Sequence, residues 1–264
     1  MRIEPMLLKR VNALPQGNNF IYERKWDGGR MIAYVKQGRV KIFTRQGNIV
    51  SHKFPEIADE LAKLPDCILD GEIVVLKDDK SDFRAYQRRV MMENPFQIKL
   101  LAKTIPATYV IFDIIQLGDM DLKYYTLMER KETLDKLLGN GNTFIKPIIY
   151  YETPDFLLQK ANSIEGIVAK RKDSVYESGK RSGAWVKYRF IKEAIVEAID
   201  FEETPSGIVA IDEKGNRITI NGKQAEDVKK AIIENGKIQI EINYMEKTIG
   251  GRYRFPSFKR MVIK

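Results

Sequence analysis

A chain of 264 residues can hold one large domain or two modest ones with genuine cores, and the pattern below favours two. A single cysteine, Cys67, and a single histidine, His52, exclude a disulfide framework and a Cys/His zinc site within one chain. No apolar run reaches the length of a membrane span and the N-terminus lacks a signal-peptide core, so a soluble, intracellular protein is expected. The formal charge of +9 favours an anionic partner, and its distribution says more than its size. Residues 170–192 hold eight Lys/Arg against two Asp/Glu and residues 247–264 six against none, whereas residues 190–246 hold seven basic and twelve acidic side chains. Such segregation suits basic faces that track a phosphate backbone.

In chain order, Phe20-Ile21-Tyr22 reads as a buried strand and Asp27-Gly28-Gly29 as a tight turn before a second strand, Met31 to Val35. The run Glu23-Arg24-Lys25-Trp26-Asp27-Gly28-Gly29-Arg30 between them sets one lysine at a strand end beside an acid, a glycine pair and two arginines. A lysine that attacks phosphorus must lose its proton near neutral pH, and neighbouring cations such as Arg24 and Arg30, or desolvation, depress its pKa. A hairpin with charged flanks would give the same octapeptide. His52 reads as a loop residue and Cys67 as a small buried hydrophobe ahead of a strand. Helical spacing marks Phe54 to Leu64 and Phe83 to Met92, and a third helix, Leu127 to Leu138, aligns Leu127, Leu134, Leu137 and Leu138 as a core stripe. Through Arg189 the pattern is a mixed sheet with helices against it. After Phe190 the rhythm changes to short strands, Ala194 to Phe201, Gly207 to Asp212, Arg217 to Ile220, Lys237 to Tyr244 and a tail through Val262, with one helix from Gln224 to Glu234. By itself this second part is a small β domain, joined through a short hinge near Arg189 to Glu193.

Lys25 to Arg30 fits the KxDGxR pattern of nucleotidyltransferases that form a covalent lysine-nucleotide intermediate. Four further segments follow in that superfamily's order: Leu69-Asp70-Gly71-Glu72-Ile73, Tyr109-Val110-Ile111-Phe112-Asp113, Glu165-Gly166-Ile167-Val168-Ala169-Lys170 and Trp185-Val186-Lys187-Tyr188-Arg189. The opening Glu4-Pro5-Met6-Leu7, the stretch from Lys170 to Tyr176 with Gly179 to Ser182, and the closing Arg254-Phe255-Pro256-Ser257-Phe258 resemble ATP-dependent DNA ligases most. Within them the likeness is to the compact ligase module of prokaryotic end-joining systems.

The resemblance implies an α+β protein of two domains. Residues 1–189 would form a nucleotidyltransferase (adenylation) domain of ATP-grasp-like antiparallel sheets with helices, and residues 190–264 an OB-fold barrel. It implies ATP, carried as AMP on Lys25, and Mg²⁺ or Mn²⁺ as cofactors. By the same likeness Glu23 recognises the adenine amino group, Arg30 and Arg45 contact ribose and phosphate, and Phe112 stacks on the purine. Glu72 accepts from a ribose hydroxyl or helps place the metal, for which Glu165 is the better ligand. Lys170, Lys187 and Arg189 surround the triphosphate and serve catalysis. The implied partners are nicked or broken double-stranded DNA, a Ku-like end-binding protein and an end-joining polymerase, for a monomer in the cytoplasm at the nucleoid. Two positions depart from the family: Arg189 stands where lysine is usual, and the C-terminus lacks the acid of an RxDK-like motif, leaving Arg260 and Lys264 as partial substitutes. An RNA ligase or capping guanylyltransferase would share the lysine chemistry, and a DNA-binding scaffold without turnover would keep the fold.

Overall fold

The computed structural model describes residues 2–248 and 250–262. It divides into two compact units, Met1–Tyr188 and Arg189–Lys264.

Two sheets build the first unit. One orders the strands Lys9–Arg10, Trp185–Arg189, Gly166–Arg171, Phe20–Lys25 and Tyr150–Tyr151; the other runs Arg39–Thr44, Gly29–Lys36, Cys67–Lys77, Ala107–Leu117 and Met120–Asp121. The side-chain period of two assigns each residue of the second sheet to a layer. Met31, Ala33 and Val35 join a core with Ile57 and Leu61 of the helix Pro55–Leu61, whereas Ile32 faces the other way into a core shared with Ile21 and Trp185 of the first sheet. Because both faces are covered, Ala107 to Ile115 is buried without interruption. Pairing of this strand with Cys67–Lys77 skips a residue twice: Gly71 opposes Ile111 while Asp70 opposes Asp113, so Phe112 is the extra residue of a bulge. A bulge re-aims its side chain, and here it delivers Phe112 to the layer between the sheets.

The turn at Asp27-Gly28-Gly29 closes no hairpin. It carries the chain from the first sheet, which ends one of its strands at Lys25, to the second, which starts one at Gly29. The three expected helices form over Pro55–Leu61, Phe83–Met91 and Leu127–Leu138; two more, Pro95–Thr104 and Asp155–Gln159, lacked a long apolar period. Leu127–Leu138 opens with a capping box between Thr126 and Glu129. His52 sits exposed in a single 3₁₀ turn, and Cys67 is buried, which pushes its thiol up to about 12.

In the second unit a five-stranded antiparallel sheet orders Arg217–Asn221, Gly207–Asp212, Lys192–Thr204, Ile238–Tyr244 and Ser257–Met261. Its first and last strands also contact each other, so the sheet curls toward closure. Ile208, Ala210, Ile218, Ile220, Ile240 and Ile242 alternate inward onto Ala225, Val228 and Ile232 of the helix Lys223–Asn235.

Candidate active site

The passage between the sheets demands glycine. A Cβ on Gly28 would fall 2.1 Å from the carbonyl oxygen of Ile73, and one on Gly29 would fall 1.7 Å from the Tyr86 hydroxyl. With both positions bare, the Phe20–Lys25 strand ends against the second sheet and Lys25 stands on a cleft lined also by Glu23, Arg30, Glu72, Phe112, Lys170 and Trp185. Six separate strands contribute these side chains.

At the reaction end, Lys25 Nζ lies 2.5 Å from Glu165 Oε2, with the two side chains 16% and 6% exposed. Burial lifts the Glu72 carboxyl to about 7; Lys25 and Arg30 pull it down, while Glu165 and Asp27 push it further up. Glu72 and Glu165 thus feel each other as like charges, a conflict that a hard divalent cation would relieve. Among the described residues no cluster of three or more His, Cys, Asp or Glu comes together, so these two carboxylates fit a cation completed by phosphate and water.

Arg30 is clamped. Its Nε and Nη2 donate to Asp70 Oδ1 and Oδ2 at 2.7 and 2.6 Å, and Tyr176 donates its hydroxyl to the same Oδ2 at 2.6 Å. Burial opposes the guanidinium's charge, but Asp70 reverses this and raises its pKa above the ordinary value. A bidentate pair of this kind fixes direction as well as charge.

At the other end, Glu23 is buried and held by two buried lysines: Lys170 Nζ is 2.7 Å from Oε2, and Lys131 of the helix Leu127–Leu138 donates to Oε1. Lys170 Nζ also lies 4.3 Å from the Phe112 ring centroid and 4.2 Å from that of Trp185. Burial lowers the Lys170 pKa to about 8, Glu23 opposing and Lys131 assisting. Phe112 meets Trp185 edge-on at 6.3 Å and carries the Arg30 guanidinium 4.7 Å from its centroid. The Trp185 indole N–H is buried without a hydrogen-bond partner among the described residues, a donor left for an acceptor in the cleft.

Other sequence candidates lie at the margin of this cleft or elsewhere. Arg24, on the opposite strand face from Lys25, lines its edge, donates to the Asp79 carbonyl at 2.8 Å and packs over Trp26. Arg45 is exposed in the turn after Arg39–Thr44, outside the residues that line the cleft. Lys187 alternates onto the Trp185 side of its strand, and Arg189 ends that strand where the second unit begins. Arg260, in the second unit, donates from Nε to Glu241 Oε2 at 2.5 Å, and Lys259 donates to Oε1 of the same carboxylate at 3.1 Å. Lys264 lies outside the described residues.

Four residues of the site escaped the sequence reading. Asp70 and Trp185 were inside quoted motifs but without roles, and Tyr176 was quoted only for resemblance. Lys131 left a fainter signal: Leu127, Arg130, Lys131 and Leu134 share the i, i+3, i+4, i+7 spacing of one helix face, and all four are buried. Arg130 uses that face for a fully buried bidentate pair with Asp113.

Residues 5–189 match the family model described as ATP dependent DNA ligase domain. DNA ligase C2 of Mycolicibacterium smegmatis is 33% identical over 201 residues, which cover 74% of this chain but 56% of that ligase. The prophage-derived DNA ligase-like protein LigB of Bacillus subtilis is 29% identical over 98% of both chains. A solved Lig E DNA ligase superposes with a TM-score of 0.71 at 18% identity, covering 99% of this chain and 100% of that one, a likeness of fold. The chain spans little more than half of the mycobacterial relative, and the matched family segment contains every cleft residue described above. By that match over residues 5–189, the chain belongs to the family of ATP-dependent DNA ligase domains.

Proposed function

We propose that this protein seals breaks in duplex DNA through a covalent lysyl-AMP formed on Lys25, in end-joining repair. The observation that carries the proposal is the placement of Lys25 against Glu165, in one cleft with a base-sized wall of Phe112 and Trp185. In the first step Lys25 Nζ, having lost its proton, bonds to the α-phosphorus of ATP as the bond to the bridging oxygen breaks and pyrophosphate leaves. An oxygen of a DNA 5′-phosphate then displaces Lys25 from AMP, and the adjoining 3′-hydroxyl displaces AMP to close the strand. In-line transfers of this kind ask the protein mainly for position and charge.

The residues supply both. Arg30 cannot swing while Asp70, itself held by the Tyr176 hydroxyl, grips it, so it offers a fixed positive charge without reorganisation. Glu165 holds the Lys25 ammonium at rest, and attack requires that pair to open. A hard divalent cation taken by Glu165 and Glu72 together with substrate phosphates would neutralise phosphate charge there. Glu23, oriented by two lysines, keeps lone pairs for an exocyclic amino group. The curled five-stranded sheet with its single helix supports reading the second unit as an OB-fold.

Intact mass after incubation with ATP, GTP or buffer and a divalent cation tests this directly. A single AMP adduct with ATP only, discharged by nicked DNA as sealed product appears, is expected. An adduct with GTP instead would favour a capping-type enzyme, and no adduct together with no sealing of preadenylylated DNA would sink the ligase reading.

A further inference from the structure

A second cleft in the first unit encloses about 1150 Å³ of space open to solvent. It shares a wall with the nucleotide cleft, because Arg24 and Trp26, the residues on either side of Lys25, line both. Ser163 and Ile164, which lead into Glu165, line it as well. Whatever occupies this groove therefore lies next to the Lys25–Glu165 pair.

Its lining combines flat rings with cations. Tyr151 and Phe156 stack on each other at 4.9 Å and 27°, and Phe156 is nevertheless 47% exposed. Lys160 lies 5.6 Å from the Phe156 centroid, while Arg24 and Lys146 lie 3.9 and 5.8 Å from that of Trp26. Lys80 brings the groove to four cations against the two carboxylates of Asp78 and Asp79. The Trp26 indole N–H is shielded from water and has no hydrogen-bond partner among the described residues. Pyrophosphate would use the cations but not the rings, and an apolar peptide the rings but not the cations. A nucleic-acid strand uses both, since phosphates meet the cations and every base offers a π-face to an aromatic ring. A base inside a duplex has both faces covered by its neighbours, so stacking here needs a base at a strand end or one turned out of the stack, which an unpaired nucleotide supplies.

We infer that this groove holds an unpaired nucleotide of the DNA end presented to Lys25, stacked on the Tyr151–Phe156 pair. The inference rests on the ligase reading above. It extends the substrate class to ends whose terminal bases are frayed, mismatched or overhanging.

The test compares binding of a short fluorescent single-stranded oligonucleotide with that of an abasic strand of equal length and charge, by anisotropy on the full chain. The wild type is expected to bind the base-bearing strand on the order of tenfold more tightly. Phe156→Leu and Tyr151→Leu keep apolar bulk but remove the ring, and each should bring that ratio toward one while the ATP-derived adduct on Lys25 still forms by intact mass. Equal wild-type affinity for the two strands, with pyrophosphate displacing both, would overturn the inference and reassign the groove to the leaving group. A ratio that survives in both leucine variants would overturn it too. Failure of the wild type to form any adduct strikes the ligase reading instead, and the two-strand ratio is measured independently of it.

Discussion

The two ends of the nucleotide cleft hold their charges differently. At the base end, Glu23, Lys131 and Lys170 are each about 1% exposed and form a buried ion-paired triad. At the reaction end, Lys25 and Glu165 form one ion pair with partial solvent access, next to a Glu72 carboxyl that burial leaves near its titration point. A recognition element is useful when it cannot move, and a nucleophile when its resting contact can open. Removing a charge should therefore cost stability at the first end and chemistry at the second.

Lys25→Ala sharpens this contrast most. Loss of the AMP adduct by on the order of 10³-fold or more is expected, because no other side chain can supply the nucleophile. Its unfolding free energy should fall less than that of Lys131→Met, since truncating the partly exposed Lys25 lets water reach the Glu165 carboxylate; an equal or larger loss of stability would place Lys25 among the structural charges instead. Lys131→Met should do the reverse. It leaves the buried Glu23 with one partner rather than two, at a cost of about 3 kcal/mol in urea unfolding. Discrimination between ATP and GTP in adduct formation should narrow as Glu23 loses its fixed orientation. Wild-type stability together with unchanged discrimination in that variant would break the comparison.

How much of this was legible in the sequence follows the same division. The reaction end is written in contiguous runs: Lys25, Arg30, Glu72 and Glu165 sit in motifs whose spacing on strands is fixed by the period of two, and the structure gathers the first three in one cleft with Glu165 paired to Lys25. The base end, and the clamp on Arg30, depend on tertiary contacts. Lys131 meets Glu23 across 108 positions and Tyr176 meets Asp70 across 106, and no local pattern announces pairings that distant. The Phe112 bulge is likewise a property of two strands, invisible in either one. Strands of the second unit were legible because Ile208, Ala210, Ile218 and Ile220 alternate cleanly, while the helix Asp155–Gln159 is too short to carry a period.

The Lys170 pKa gives a pH-dependent form of the comparison. Its folded value of about 8 lies below the ordinary lysine value of about 10.4, so between those limits the unfolded chain binds the extra proton. Lys170 then contributes stability that rises with pH across that window and is absent below it. The difference in unfolding free energy between wild type and Lys170→Met should accordingly climb by up to about 1.4 kcal/mol per pH unit from pH 8 toward 10. A flat difference would mean that Glu23 holds the ammonium charged throughout.

Arg260 offers the smallest effect and the cleanest control. Its guanidinium pairs with Glu241 at the surface of the second unit, 70% exposed, where solvent screening leaves little net attraction. Arg260→Ala should leave the unfolding midpoint within experimental error. If Arg260 takes the cofactor-binding role that the family resemblance gives it, the same variant slows adduct formation from ATP while sealing of preadenylylated nicks keeps its wild-type rate. The acid that works with Arg260 would then be Glu241, which is adjacent through strand pairing, since Glu241 opposes Arg260 in the register of Ile238–Tyr244 with Ser257–Met261. Glu241→Gln should reproduce the slowing in weaker form, because it keeps an acceptor for Arg260 but removes the charge that orients it. Equal rates for all three proteins in both steps would show that this pair serves neither stability nor catalysis.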